Sequence, residues 1–226
     1  MSKPDTLVVI IDSQVDFMMQ DGRLPVAGAE EIIAPGIRFL ANLDPSKVAA
    51  VLMTFDTHSE ESFIGSPENL GNSDAGEPGF PIHCEKGTPG WENVFNPAII
   101  PTQIAVHSLE KGVFNMWEEP TVDVISGMFG ASVVMRGGGQ VEGSDSDGRV
   151  YRSDRDRYFA HLHANGITKA IVIGVAADFC VKYAIEGLLK RGFDVTVPAH
   201  LTRGIIRQID QVAAEDFPGA TLTIAE

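Results

Sequence analysis

Ile171-Val-Ile-Gly-Val-Ala-Ala-Asp-Phe-Cys180 is an apolar run that closes on small residues and then a cysteine. Ile171 to Val175 is short, β-branched and without polar alternation, the pattern of a strand buried on both faces of a parallel sheet. Val181 to Arg191 follows with apolar residues at helical spacing and Gly192 just past its end, so the stretch reads strand, tight turn, helix. Cys180 then stands at a helix N-terminus, where unpaired backbone N–H groups favour a thiolate and lower the thiol pKa. The small residues Gly174, Ala176 and Ala177 leave the turn open for a carbonyl to approach the sulfur while turn amides donate to its oxygen. The plainer reading, a buried small apolar cysteine, is decided only by the rest of the chain.

Working outward, Thr6-Leu-Val-Val-Ile-Ile-Asp12 is a second apolar strand with an aspartate at its carboxyl end, and Val48 to Phe55 is a third that runs into Asp56-Thr-His58. Open α/β sheets place ligand chemistry at the carboxyl ends of their strands. Ile104 to His107 reads as a short fourth strand leading to Glu110-Lys111-Gly112, Phe193 to Val197 as a further one, and Thr221 to Ile224 as an edge strand. Helices are expected over Ala29 to Leu43, with Pro35-Gly36 kinking it or marking its first turn, over Ser153 to Asn165 with Ser153 as N-cap, and over Ile205 to Phe217. Glu60 to Gly90 lacks periodicity and reads as a long loop. Thr121 to Arg149 reads as a hairpin or mobile insertion. The expected architecture is a single α/β domain over residues 1–226, a doubly wound, mostly parallel sheet flanked by helices, with that insertion around 121–149.

Composition narrows the function. A chain of 226 residues that is 44% apolar can bury one sizeable core. A net charge of −14 offers no basic footprint for nucleic acid or an anionic membrane. Two cysteines do not make a disulfide framework, and no stretch resembles a secretory signal or a membrane span, so a reducing cytoplasm is the expected setting. Oligomeric state stays open, a homo-oligomer included.

Asp56 and His58 lie two apart in an extended segment and so share a face. With His83 from the long loop they suit a divalent ion such as zinc, iron or manganese, although Asp-x-His alone also fits a strand end. Lys111, at a strand end before a glycine, can bury its stem and turn its ammonium inward, toward a thiol or a developing oxyanion.

Asp12-Ser-Gln-Val-Asp-Phe17, Asp56-Thr-His58, Phe80-Pro-Ile-His-Cys-Glu-Lys-Gly-Thr-Pro-Gly90, Lys111-Gly112 and Gly174-Val-Ala-Ala-Asp-Phe-Cys180 together resemble the nicotinamidase/pyrazinamidase branch of the isochorismatase-like cysteine hydrolases. The resemblance implies a catalytic triad of Asp12, Lys111 and Cys180, a cis peptide at Val175-Ala176, and the Ala176 and Cys180 amides as oxyanion donors. It also implies a small-molecule carboxamide substrate bound against Phe17, Phe80 and Val175, and one divalent metal ion, zinc foremost, held by Asp56, His58 and His83. The activity implied is deamidation of nicotinamide to nicotinate and ammonia, a step of NAD salvage. Ser66-Pro-Glu-Asn69 resembles a His-Pro-Glu-Ser stretch of some members, which makes Glu68 the candidate fourth metal ligand, with Glu61 and Glu77 as alternatives. The alternatives to the activity are another cysteine amidohydrolase of the same fold, acting on a carbamoyl or maleamate-like substrate, and a catalytically silent binding protein.

Overall fold

The computed structural model describes residues 3–71, 78–119, 122–127 and 151–225. In chain order its strands and helices are β1 (Thr6–Ile11), α1 (Val15–Met18), α2 (Ile33–Ala41), β2 (Val48–Asp56), α3 (Glu60–Phe63), α4 (Pro67–Leu70), β3 (Ala105–Lys111), β4 (Asp123–Gly127), β5 (Tyr151–Asp154), α5 (Arg155–Ala164), β6 (Lys169–Val175), α6 (Cys180–Lys190), β7 (Asp194–Pro198), β8 (Thr202–Arg203), α7 (Ile209–Asp216) and β9 (Leu222–Ala225). One sheet runs β5-β4-β3-β2-β1-β6-β7-β9, with β8 also paired to β6. All its pairings are parallel except those of β4 and β5.

The chain lays β2 and β3 to one side of β1, then crosses and lays β6, β7 and β9 on the other. The strand order therefore reverses at β1, where an open sheet leaves a crevice at its carboxyl ends. Both faces are covered, which is why β1 is apolar from Leu7 through Ile11. Leu7, Val9 and Ile11 pack among residues of α5, α6 and α7, whereas Val8 and Ile10 pack among Leu40 of α2, Phe95 and Ile100. Among the described residues no helix is long and apolar enough to cross a membrane.

Several boundaries differ from the sequence expectation for physical reasons. Pro35 and Gly36 lie in the first turn of α2, and a 3-10 turn over Ala29–Ile32 precedes it. β3 is longer than expected and ends on Lys111, because register with β2 carries it through Glu110 to the pair Asp56 and Lys111. Asp154, not Ser153, caps α5, its carboxylate accepting the Arg157 N–H at 3.1 Å, while Ser153 is paired in β5. α7 starts at Ile209, because the backbone before it is tied to Asp178, whose carboxylate accepts from the amides of Ile205, Ile206 and Arg207. The long loop holds two capped helical turns, α3 behind Ser59 and α4 behind Ser66. Of the 121–149 stretch, residues 123–127 form β4, which pairs antiparallel with β3 and β5; residues 128–149 and Glu77 lie outside the described residues.

Gly174 shows how tightly β6 meets β1. Its φ is +109°, and a Cβ there would lie 2.1 Å from the carbonyl oxygen of Ile11. Neither the dihedral nor the backbone contact tolerates a side chain. Gly174→Ala is expected to lower unfolding free energy by more than about 3 kcal/mol, read by denaturant titration. A loss below about 1 kcal/mol would show that the two strands can part locally.

Candidate active site and metal centre

Four neighbouring strands deliver the predicted residues to one edge of the sheet. Asp12 follows β1, Asp56 ends β2, Lys111 ends β3, and the Val175–Cys180 turn joins β6 to α6. Register accounts for the convergence, since Ile11 pairs with Gly174 and Asp56 with Lys111. The Val175-Ala176 peptide is cis.

Lys111 is the hub. Its buried Nζ lies 2.8 Å from Asp12 Oδ2, 3.2 Å from Asp56 Oδ1 and 3.4 Å from Cys180 Sγ. Burial opposes its charge, but the two carboxylates outweigh burial and hold its pKa well above that of an ordinary lysine. Asp12 sits at a φ of +43° and is gripped by Thr54, which accepts the Asp12 N–H at 3.1 Å and donates to Oδ1 at 2.6 Å. Its Oδ2 accepts no hydrogen bond among the described residues; the contact with Lys111 is one of charge.

At Cys180 the structure corrects the sequence expectation. The residue is the first of α6 and lies beside the lysine, yet burial pushes its thiol up well above the ordinary value, and Lys111 only partly opposes this. Burial removes water from the thiolate, and one shared cation with the helix terminus does not replace it. Burial and the nearby carboxylates thus work against the thiolate that the helix terminus and Lys111 favour.

On the far side of Asp56 stand His58, His83 and Glu68. One ligand atom from each of the four lies within 4.8 Å of the others, and all four residues are buried. Asp56 Oδ2 is 3.1 Å from His58 Nε2 and 3.0 Å from His83 Nε2, and Glu68 Oε2 is 3.1 Å from His58 Nε2. Burial disfavours the Asp56 carboxylate, but Lys111 and then His58 hold its pKa well below the usual range. Burial and the neighbouring Asp56 together push Glu68 up. Among the described residues, neither oxygen of Glu68 accepts a hydrogen bond of normal geometry. The cluster is short of positive charge.

The donor set fits a divalent metal ion. Nδ1–H of His83 donates to the Pro81 carbonyl at 2.7 Å, which leaves Nε2 as the lone-pair nitrogen turned into the cluster, the orientation metal-ligating histidines require. Two carboxylates and two imidazoles at one buried point suit zinc, iron or manganese.

Glu68 reaches the cluster because Ser66 caps α4, accepting the Asn69 N–H at 3.2 Å, and because the Glu68 carbonyl accepts the Phe80 N–H at 2.8 Å. Glu61, by contrast, is exposed on the first turn of α3 and takes no part. The aromatic residues divide in two. Phe17 packs on His83 at 5.0 Å between ring centroids, while Phe80 meets Phe114 at 5.9 Å and Phe179 at 5.4 Å. Val175 is buried in the same cluster. Phe17 and Phe80 belong to that one cluster, each packed on different aromatic partners.

Sequence reasoning missed five contributors: Thr54, Gln14, Phe63, Phe114 and Phe179. Gln14 brackets Asp56, accepting its N–H at 2.7 Å and donating to its carbonyl at 2.8 Å, and reaches the Trp91 carbonyl at 3.0 Å. Phe63 packs against both histidines, 4.8 Å from His58 and 5.3 Å from His83. Phe179 lies within the Gly174–Cys180 motif and Phe114 two residues past Lys111-Gly112, and that proximity was the available signal.

No family model matches the chain. Curated relatives do: the chain is 24% identical over 219 residues to a nicotinamidase/pyrazinamidase of Mycobacterium tuberculosis, covering 96% of each. It is 28% identical over 236 aligned positions to a nicotinamidase of Escherichia coli, covering 99% of this chain and 97% of the other. Among solved structures, a pyrazinamidase of Pyrococcus horikoshii in complex with zinc superposes with a TM-score of 0.64 at 21% identity, covering 99% of both chains. The likeness to nicotinamidases first carried by five motifs therefore extends along the whole chain, and the fold is shared.

Proposed function

We propose that this chain is a nicotinamidase that hydrolyses the exocyclic carboxamide of nicotinamide to nicotinate and ammonia, and accepts the analogue pyrazinamide, with zinc as its divalent ion. The single observation that carries the reading is the position of Lys111, whose ammonium joins a thiol, a free carboxylate oxygen and a buried metal-ligand cluster. A binding protein has no need of that conjunction. Relatives matched end to end carry the same activity in their names. The zinc complex of a protein with this fold, together with the donor set, supports zinc among the ions the site suits.

In the proposed reaction, Asp12 Oδ2 takes the thiol proton, and the sulfur attacks the carboxamide carbon. The amides of Ala176 and Cys180, on the turn that carries the sulfur, donate to the developing oxyanion. Protonated Asp12 then gives its proton to the departing nitrogen, leaving a thioester and ammonia. Water hydrolyses the thioester, releasing the acid and restoring the thiol. Asp56, His58, Glu68 and His83 would hold the metal, which when bound supplies an electrophilic centre that orients substrate and polarises water. Phe17, Phe80 and Val175 form apolar walls for a planar ring, extended by Phe114 and Phe179. Phe17, Phe80, Ala176 and Cys180 each keep 7% of their surface exposed, which fits a narrow approach from their side. The Lys111 ammonium already faces two carboxylates, which does not favour an anionic substrate such as a maleamate at that cation. The two free cysteines suit a reducing cytoplasm.

The test is ammonia release from nicotinamide by the purified protein, before and after chelation, beside elemental analysis of the untreated sample. Turnover that chelation abolishes and zinc restores is the expected result. A protein with full metal content and no turnover would move the substrate to another amide.

A further inference from the structure

The geometry points to Thr54 as a positioning residue that selects which oxygen of Asp12 receives the thiol proton, an inference that rests on the assignment of Asp12 as the general base. Thr54 is wholly buried near the end of β2. Its Oγ1 accepts the Asp12 N–H at 3.1 Å and lies 2.6 Å from Asp12 Oδ1. A hydroxyl has one proton to give. The Ile10 carbonyl, 3.5 Å away, is the poorer acceptor, so the proton goes to the carboxylate. One hydroxyl thus holds the backbone and the side chain of the same residue, and that residue sits at a φ of +43°, where a non-glycine backbone needs support.

The consequence falls on the other oxygen. With Oδ1 engaged by Thr54, Oδ2 is left without a hydrogen bond and faces Lys111, the cation that also touches Cys180 Sγ. When the S–H bond breaks, its electron pair stays on sulfur and the proton forms a bond to Oδ2. The same proton later passes to the departing nitrogen. Rotation of the carboxylate would bring Oδ1, already committed, toward the thiol. Thr54 opposes that rotation.

Serine and alanine at position 54 differ by one oxygen and share the lost methyl, so their ratio reads the hydroxyl. Thr54→Ser is expected to keep kcat within about threefold, whereas Thr54→Ala loses roughly 30-fold or more, with KM moving less than about threefold. Thr54→Val, which fills the methyl volume, repeats the comparison where alanine unfolds. Metal content should be equal in all three. A second readout is alkylation of Cys180 by iodoacetamide, followed by peptide mass. It should slow in the alanine variant relative to the serine variant, and the difference should vanish in an Asp12→Ala background, because the hydroxyl acts only through Asp12. Equal kcat for the serine and alanine variants, or an alkylation difference that survives without Asp12, would overturn the inference. The base assignment fails separately, if Asp12→Ala by itself leaves turnover and alkylation unchanged.

Discussion

Cys180→Ala is expected to lower nicotinamide turnover by at least ~10⁴-fold, because a step routed through a covalent intermediate has no partial substitute once the nucleophile is gone. The fold should survive. Cys180 packs in the core beneath the turn, and alanine removes one atom from a site where the thiol's own hydrogen-bonding demand is small. A stability loss of about 1 kcal/mol is expected. Metal content should not change, since the ligand cluster lies across Lys111 from the sulfur. Intact-mass analysis of the wild type, quenched during turnover, should show an acyl adduct that the variant lacks. Residual activity above about 1% in the variant, with metal bound, would remove Cys180 from the role of nucleophile.

Asp56→Ala carries the second large effect, because this carboxylate serves two sites at once. One oxygen faces the two histidines and the other faces Lys111. Removing a direct ligand should weaken metal binding by more than the roughly 10–100-fold known for outer-shell partners. Turnover should fall with metal occupancy. A thermodynamic signature separates loss of metal from loss of fold: an ion that binds only the native state raises its melting temperature, so chelation should lower the melting temperature of the wild type. In the variant that difference should disappear. A variant whose melting temperature still responds to chelator would place the ion elsewhere.

Much of this was legible in the chain because Asp12, Asp56, Lys111 and Cys180 each stand at the end of a strand or at the turn that follows one. Largely apolar runs marked β1, β2 and β6 as strands, and their final residues fell on one sheet edge as a matter of topology. What stayed hidden depends on partners distant in sequence. Thr54 reads as one polar residue in an apolar strand, and only its contact with Asp12, 42 residues away, gives it a role. Gln14 is equally plain until the Asp56 backbone is placed against it. Lys111 was expected after a short strand, since Glu110 and Lys111 look like the start of a loop, but pairing with β2 overrides composition. The thiol was expected to be acidic because the helix terminus is visible in the sequence. The extent of its burial is not, and burial wins.

The placement of Lys111 bears on how little the protein must rearrange during the first chemical step. Transferring the proton moves one unit of negative charge from Asp12 Oδ2 to Cys180 Sγ, atoms that stand 2.8 Å and 3.4 Å from the same ammonium. At an effective dielectric of ~20, the attraction to that cation changes by about 1 kcal/mol between the two arrangements. Charge is relocated around a stationary counter-ion rather than created or discharged. One ammonium thus serves as counter-ion to both the starting and the product arrangement of the proposed proton transfer.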